Sequence, residues 1–125
     1  YYVGDTQYNV RGQVTERHFR TRARELARRL RPGAAYVVNL IYLDPYLWNL
    51  HWKADRLVLR LRAEGSPLEG VTVSAGVPDV AEAKALVAAC RAQGVGIVSF
   101  KPGTAKQIQQ VLEIARACPE ATLGM

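Results

Sequence analysis

Asn39, Lys101 and the small residues Ser74 to Gly76 stand where ligand chemistry is most readily placed in this sequence of 125 residues. Asn39 is an amide inside the apolar run Ala35 to Leu43 (AYVVNLIYL). Burying it unpaired would cost roughly 1–3 kcal/mol, so something must satisfy it. A heterocycle with donors and acceptors along its edge would do so; a neighbouring backbone group or a water would serve equally. Lys101 closes the run Val95 to Lys101 (VGIVSFK). At the mouth of a buried strand it puts a cation where the field is focused and water is scarce. Near a redox-active ring, that charge would stabilise a reduced, anionic form. The alternative is a stem laid along apolar surface with its ammonium in solvent. Ser74, Ala75 and Gly76 are small enough for a flat ring to lie against the backbone, and Gly76 equally suits the turn into Pro78.

Other candidates carry less chemistry. Gly103 and Thr104 open a helix whose free amides would bind an anion, or whose threonine is simply an N-cap. The stretch Tyr42 to Trp52 (YLDPYLWNLHW) holds Tyr42, Tyr46, Trp48 and Trp52. It reads as a connector that walls a cleft or docks on another domain. His18 and His51 lack the spacing of metal ligands or triad members, which leaves His51 as a lone general-acid candidate. Cys90 and Cys118 lack the spacing of a metal knuckle or redox pair and read as buried thiols. No metal site is expected, and the sequence offers a cofactor seat without an evident catalytic acid.

The elements that must position these residues alternate. Thr15 reads as the N-cap of a helix with the apolar stripe Phe19, Ala23, Leu26, Ala27 and Leu30, stopped by Pro32 and Gly33. Ala35 to Leu43 reads as a strand buried on both faces. After the Asp44-Pro45 break, Ala54, Leu57, Val58 and Leu61 line a helix ending near Gly65. Val71 to Val77 is the next strand. Asp79 then caps a helix with the stripe Ala83, Leu86, Val87 and Cys90, ended by Gly94. Val95 to Lys101 is the third strand. Thr104 and Gln107 form a capping box ahead of Ile108, Val111, Leu112, Ala115 and Cys118. A further strand starts at Ala121, and Tyr1 to Gln13 is a poorly defined lead-in.

Strict alternation with apolar strands implies a parallel sheet with right-handed crossovers. Periodicity does not separate an open doubly wound sheet from part of a barrel. No GxGxxG or GxxxxGK[ST] follows any strand, so neither fingerprint favours the open sheet. Four units are about half of an eight-stranded barrel of about 250 residues. The expected fold is therefore α/β, a partial TIM (β/α)8 barrel, with residues 1–125 forming a single incomplete domain.

Composition sets the class: 49% hydrophobic and 22% charged residues exclude a disordered chain. No apolar run reaches the roughly 18 residues of a membrane span, and no signal peptide pattern is present. The cytoplasm is the expected compartment, without membrane association. The net charge of +6 is concentrated in the stripe Arg11, Arg17, Arg20, Arg22, Arg24, Arg28, Arg29 and Arg31. Such a stripe binds nucleic-acid phosphates or forms a solvated helix face.

Taken as a series, Asn39 to Trp48 (NLIYLDPYLW), Gly70 to Pro78 (GVTVSAGVP), Ser99 to Gly103 (SFKPG) and Gln107 to Ala115 (QIQQVLEIA) carry a resemblance. From about Gly12 to Pro119 the chain resembles the enoyl reductase region of type I fatty acid synthases of the fungal and actinobacterial kind. The resemblance implies a TIM-type barrel holding FMN. In that family hydride passes from NADPH to the β-carbon of an enoyl chain on acyl carrier protein, inside a homo-oligomeric, multifunctional parent. It also implies that Asn39 and Lys101 contact the flavin, with Ala75 and Gly76 at the strand end beside the ring.

Two departures stand out. Where the family has a Gly-rich stretch this chain reads Tyr8 to Gln13 (YNVRGQ), of which only Gly12 and Gln13 fit. The family's catalytic histidine motif and FMN-phosphate loops would lie beyond Met125, so no catalytic residue is expected in the chain, which alone should be inactive. The alternatives are a nitronate monooxygenase-type flavin oxidoreductase and, in a different class, a small basic nucleic-acid-binding domain.

Overall fold

A computed structural model of the chain describes residues 15–125. The lead-in, with Gly12 and Gln13, lies outside the described residues. Helix α1 (Glu16–Arg29) starts where expected, with the Thr15 hydroxyl accepting from the His18 amide at 3.3 Å. Its buried face carries Phe19 and Ala23. Part of its arginine stripe is spent on structure. Arg20 donates to both carboxylate oxygens of Glu64 at 2.8 and 3.0 Å and to Glu16 at 3.0 Å, while Arg60 reaches Glu16 at 2.6 Å. These bonds tie α1 to the helix Leu57–Ala63 and its C-cap Glu64, and hold the Glu16 carboxyl down at about 2.

Strand β1 (Tyr36–Ile41) is followed by α2 (Pro45–Trp48), a π-helical turn (Asn49–Lys53) and α3 (Leu57–Ala63). Strand β2 (Leu68–Ser74), helix α4 (Val80–Ala92), strand β3 (Ile97–Phe100), helix α5 (Ala105–Ala117) and strand β4 (Thr122–Gly124) complete the order. The caps of the later helices are those read from sequence. Asp79 accepts from the Glu82 amide at 2.8 Å and Thr104 from the Gln107 amide at 3.1 Å. Gln107 closes its box one residue early, accepting from the amide of Gly103 at 2.6 Å rather than from that of Thr104.

The four strands form one parallel sheet in the order β1-β2-β3-β4. Each crossover steps the same way, and right-handed crossovers that never reverse direction put every connecting helix on one face. Burial agrees. Leu40, Val73 and Phe100 lie side by side in register and are at most 1% exposed. The opposite residues Val37, Asn39 and Ile41 are only half-buried. This corrects the expectation that the first strand is buried on both faces. Among the described residues its alternation is one-sided, because no helix lies over the second face.

Three boundaries also move. Strand β2 begins at Leu68 rather than Val71, and it ends at Ser74 because Ala75 and Gly76 take positive φ angles of 56° and 116°. Strand β3 begins only at Ile97. The aromatic stretch is helical rather than an irregular connector, because the Asp44 carboxylate caps the Leu47 amide at 3.1 Å and Pro45 occupies the first turn.

Candidate functional site

The C-terminal ends of the strands bring the sequence candidates together on one face. In the parallel register Asn39 lies beside Thr72, Thr72 beside Ser99, and Ser99 beside Gly124. Side chains in register on a pleated sheet share a face, so these four residues form a small, polar row across the uncovered side. Asn39 is half-buried there, not enclosed. Lys101 belongs to the same face one row further on. Its amide donates to the Val73 carbonyl at 2.9 Å, which extends the ladder past Phe100 and sets Lys101 near Ser74 at the strand mouth, exposed.

Thr72 and Ser99 were not singled out from sequence. Each is the polar residue at the centre of an apolar strand, as Asn39 is, and that shared signal is readable once the register is known.

The small residues behave differently. Ala75 is exposed with φ 56°, and Gly76 is held at φ 116° under the ring of Tyr42. A Cβ on Gly76 would lie 2.9 Å from a Tyr42 ring carbon. The flat group that packs on this glycine is therefore the chain's own tyrosine. Gly76→Ala combines a left-handed backbone angle with that clash and is expected to cost about 1–3 kcal/mol. A lower urea midpoint with an unchanged slope would register it; an unchanged midpoint would contradict the turn geometry.

The aromatic segment forms an outer wall beside the strand mouth. Tyr42 meets Trp48 edge to face, with ring centroids 5.1 Å apart. Trp48 Nε1 donates to Glu82 of α4 at 2.9 Å, and Lys53 Nζ lies 3.1 Å from the same carboxylate oxygen. Glu82, which the sequence reading passed over, thus pins the α2 and π-helical segment to α4. At the rim Leu43 is 71% exposed.

The remaining candidates resolve plainly. The Thr104 hydroxyl is an N-cap, with Gln107 taking up the Gly103 amide. His51 is completely buried with its ring 4.7 Å from that of Phe19. Burial, opposed weakly by the Asp44 carboxylate, pushes it down to about 4. A neutral imidazole sealed from solvent is no general acid for a bound substrate, which removes that candidate. Burial raises the Cys90 thiol to about 12, so it is inert packing; Cys118 is half-buried. Among the described residues no group of three or more His, Cys, Asp or Glu is placed to hold a metal ion, and no helix is long and apolar enough to cross a membrane.

No protein-family model matches the chain. It is 33% identical over 108 residues to fatty acid synthase 2 of Mycosarcoma maydis, covering 86% of this chain and 3% of that protein. It is also 33% identical over 110 residues to the fatty acid synthase subunit beta of Schizosaccharomyces pombe, covering 86% and 5%. Against the fatty acid synthase beta subunit aflB of Emericella nidulans it is 40% identical over 87 residues, covering 70% and 4%. The chain thus spans a small part of the length of relatives that are fungal fatty acid synthase subunits.

Proposed function

We propose that this chain is a segment of a fatty acid synthase of the fungal β-subunit kind, and that it forms part of the FMN-binding barrel of the enoyl reductase. The observation that carries the reading is the common placement of Asn39 and Lys101 on the uncovered face, with Lys101 at its C-terminal mouth. Ligands of parallel α/β folds bind at that end of the strands. The sequential strand order supports a barrel segment, since a singly wound sheet leaves one face that barrel closure would cover.

The residues suit a flat polar ring. Gly70, Thr72, Ser99 and Gly124 keep the face low, and a Cβ on Gly70 would meet the Ile97 carbonyl at 3.0 Å. Bound FMN would supply two-electron chemistry, between NADPH and the double bond of an enoyl thioester on acyl carrier protein. In this reading the Asn39 amide offers a donor and an acceptor to the ring edge. Lys101 adds an exposed cation that favours the reduced form. No residue of the chain is assigned as proton donor, and the flavin phosphate site is assigned to other parts of the synthase.

Within the parent synthase, Lys101→Met is expected to weaken FMN about tenfold, roughly 1.4 kcal/mol, and to make the flavin potential more negative. Flavin retention on dialysis and a spectroscopic redox titration would measure both. A synthase purified without flavin, or one whose potential and retention ignore both Lys101→Met and Asn39→Ala, would overturn the reading. The fatty acid synthase relatives reported above favour this over a nitronate monooxygenase. The nucleic-acid alternative loses weight because Arg20 and Arg22 of the stripe are engaged with Glu64 and Glu25.

A further inference from the structure

A groove lies away from the strand mouth, between the second half of α1 and the turn that leads from α3 into β2. Its volume is about 630 Å³. The floor is apolar, built from Ala23, Ala27, Leu61 and Pro67, and the rim carries Arg24 and Arg28. These arginines are one helical turn apart and exposed, and neither has a salt bridge or hydrogen-bonded side-chain partner among the described residues. The acid beside them, Glu64, is taken by the two-pronged bond from Arg20. The groove therefore presents two guanidinium forks without hydrogen-bonded partners over an apolar floor, with the charge of Glu64 felt by Arg24 but bonded to Arg20.

We propose that this groove docks an acidic protein segment, with two carboxylates meeting Arg24 and Arg28 and an apolar side chain seated against Leu61 and Pro67. Guanidinium forks match carboxylates in pairs, and an i, i+4 spacing presents both on one helix face. The apolar floor supplies the anchor that charge alone lacks. A nucleic acid fits the groove less well. Single strands need aromatic platforms on which bases stack, and among the described residues no aromatic lines it. Because the groove is built from α1 and the α3–β2 turn, the proposal does not depend on the flavin reading.

The test uses the full 125-residue chain and fluorescence anisotropy at about 100 mM salt. The probe is a fluorescein-labelled peptide, GEELEELEG, compared with GKKLKKLKG and an oligothymidylate. Saturable binding of the acidic peptide alone is expected. Arg24→Glu with Arg28→Glu should weaken it at least tenfold, whereas Arg29→Glu with Arg31→Glu, an equal change of charge outside the groove, should change it less than threefold. Far-ultraviolet circular dichroism checks folding, and Arg24→Gln with Arg28→Gln makes the same contrast if the glutamates disturb the helix. Absence of binding by the acidic peptide, equal losses in the two pairs, or tighter binding of the oligothymidylate would each overturn the proposal.

Discussion

Acidifying the chain from pH 7 to pH 4 is expected to remove about 3 kcal/mol of stability through His51 alone, and His51→Leu should abolish that loss. The ring is completely buried and shut off from water. Among the described residues neither of its nitrogens, nor Trp52 Nε1 beside it, has a hydrogen-bond partner. Its folded pKa is lowered from 6.5 to about 4, with burial as the first cause and the Asp44 carboxylate opposing it. The sign follows from linkage. Above pH 6.5 both folded and unfolded chains hold a neutral ring, so no penalty arises. Between 6.5 and about 4 the unfolded chain takes up a proton that the folded chain refuses, and stability falls by 1.36 kcal/mol per unit of pKa difference. Below about 4 the penalty is complete.

Both tryptophans of the protein, Trp48 and Trp52, flank His51 on the same helical segment. Their emission therefore reports this region directly during urea titrations at a series of pH values. Glu16 acts in a lower window. Its carboxyl is held near 2 by hydrogen bonds from Arg60 and Arg20, so its contribution is present above about 4.5 and is lost as pH falls toward 2. The two effects separate between pH 6.5 and 4.5, where His51→Leu should flatten the profile. At neutral pH the variant should be no less stable, since it removes polar atoms that have no partners. A wild-type profile flat down to pH 4.5 would contradict the sealed environment of this imidazole.

Phe100→Ala is expected to cost about 3–5 kcal/mol, a large share of the roughly 5–15 kcal/mol that stabilises a typical domain. Phe100 is fully buried on the helix side of β3, in the row that Leu40 and Val73 share. Its truncation leaves a cavity that a close-packed interior collapses only partly to fill. The neighbouring Ser99 points to the other face and is half-buried. Ser99→Ala should stay within about 0.5 kcal/mol. Urea midpoints of the two variants then compare the two sides of the sheet directly. Similar costs for both would rule out a core confined to one face.

Much of the fold was legible in the sequence because its signals are local. The stripe Phe19, Ala23 and Leu26, the caps Thr15, Asp79 and Thr104, and the stops at Gly33, Gly65 and Gly94 each depend on a few neighbouring residues. The alternation of strands and helices follows from them, and so does a parallel sheet. The α2 and π-helical segment was missed because a four-residue helix has no apolar period to read, although the Asp44-Pro45 pair was a cap signal in plain view. The early start of β2 was missed because Glu69 and Gly70 weaken its strand pattern, and pairing with β1 and β3 supplies what propensity lacks.

The candidate site divides in the same way. Sequence by itself determined that Asn39 and Lys101 stand within or at the end of apolar strands, since residue type and run length are written in the chain. Only the tertiary structure decided that they share one face, that Thr72 and Ser99 continue the row from Asn39, and that Tyr42 covers Gly76. Those facts depend on the register between strands that are tens of residues apart, and on a helical layer that covers one side of the sheet. No window of sequence contains either relation. The fate of His51 belongs there too: a histidine in an aromatic stretch reads as a candidate for chemistry until α1 closes over it with Phe19 and removes it from water.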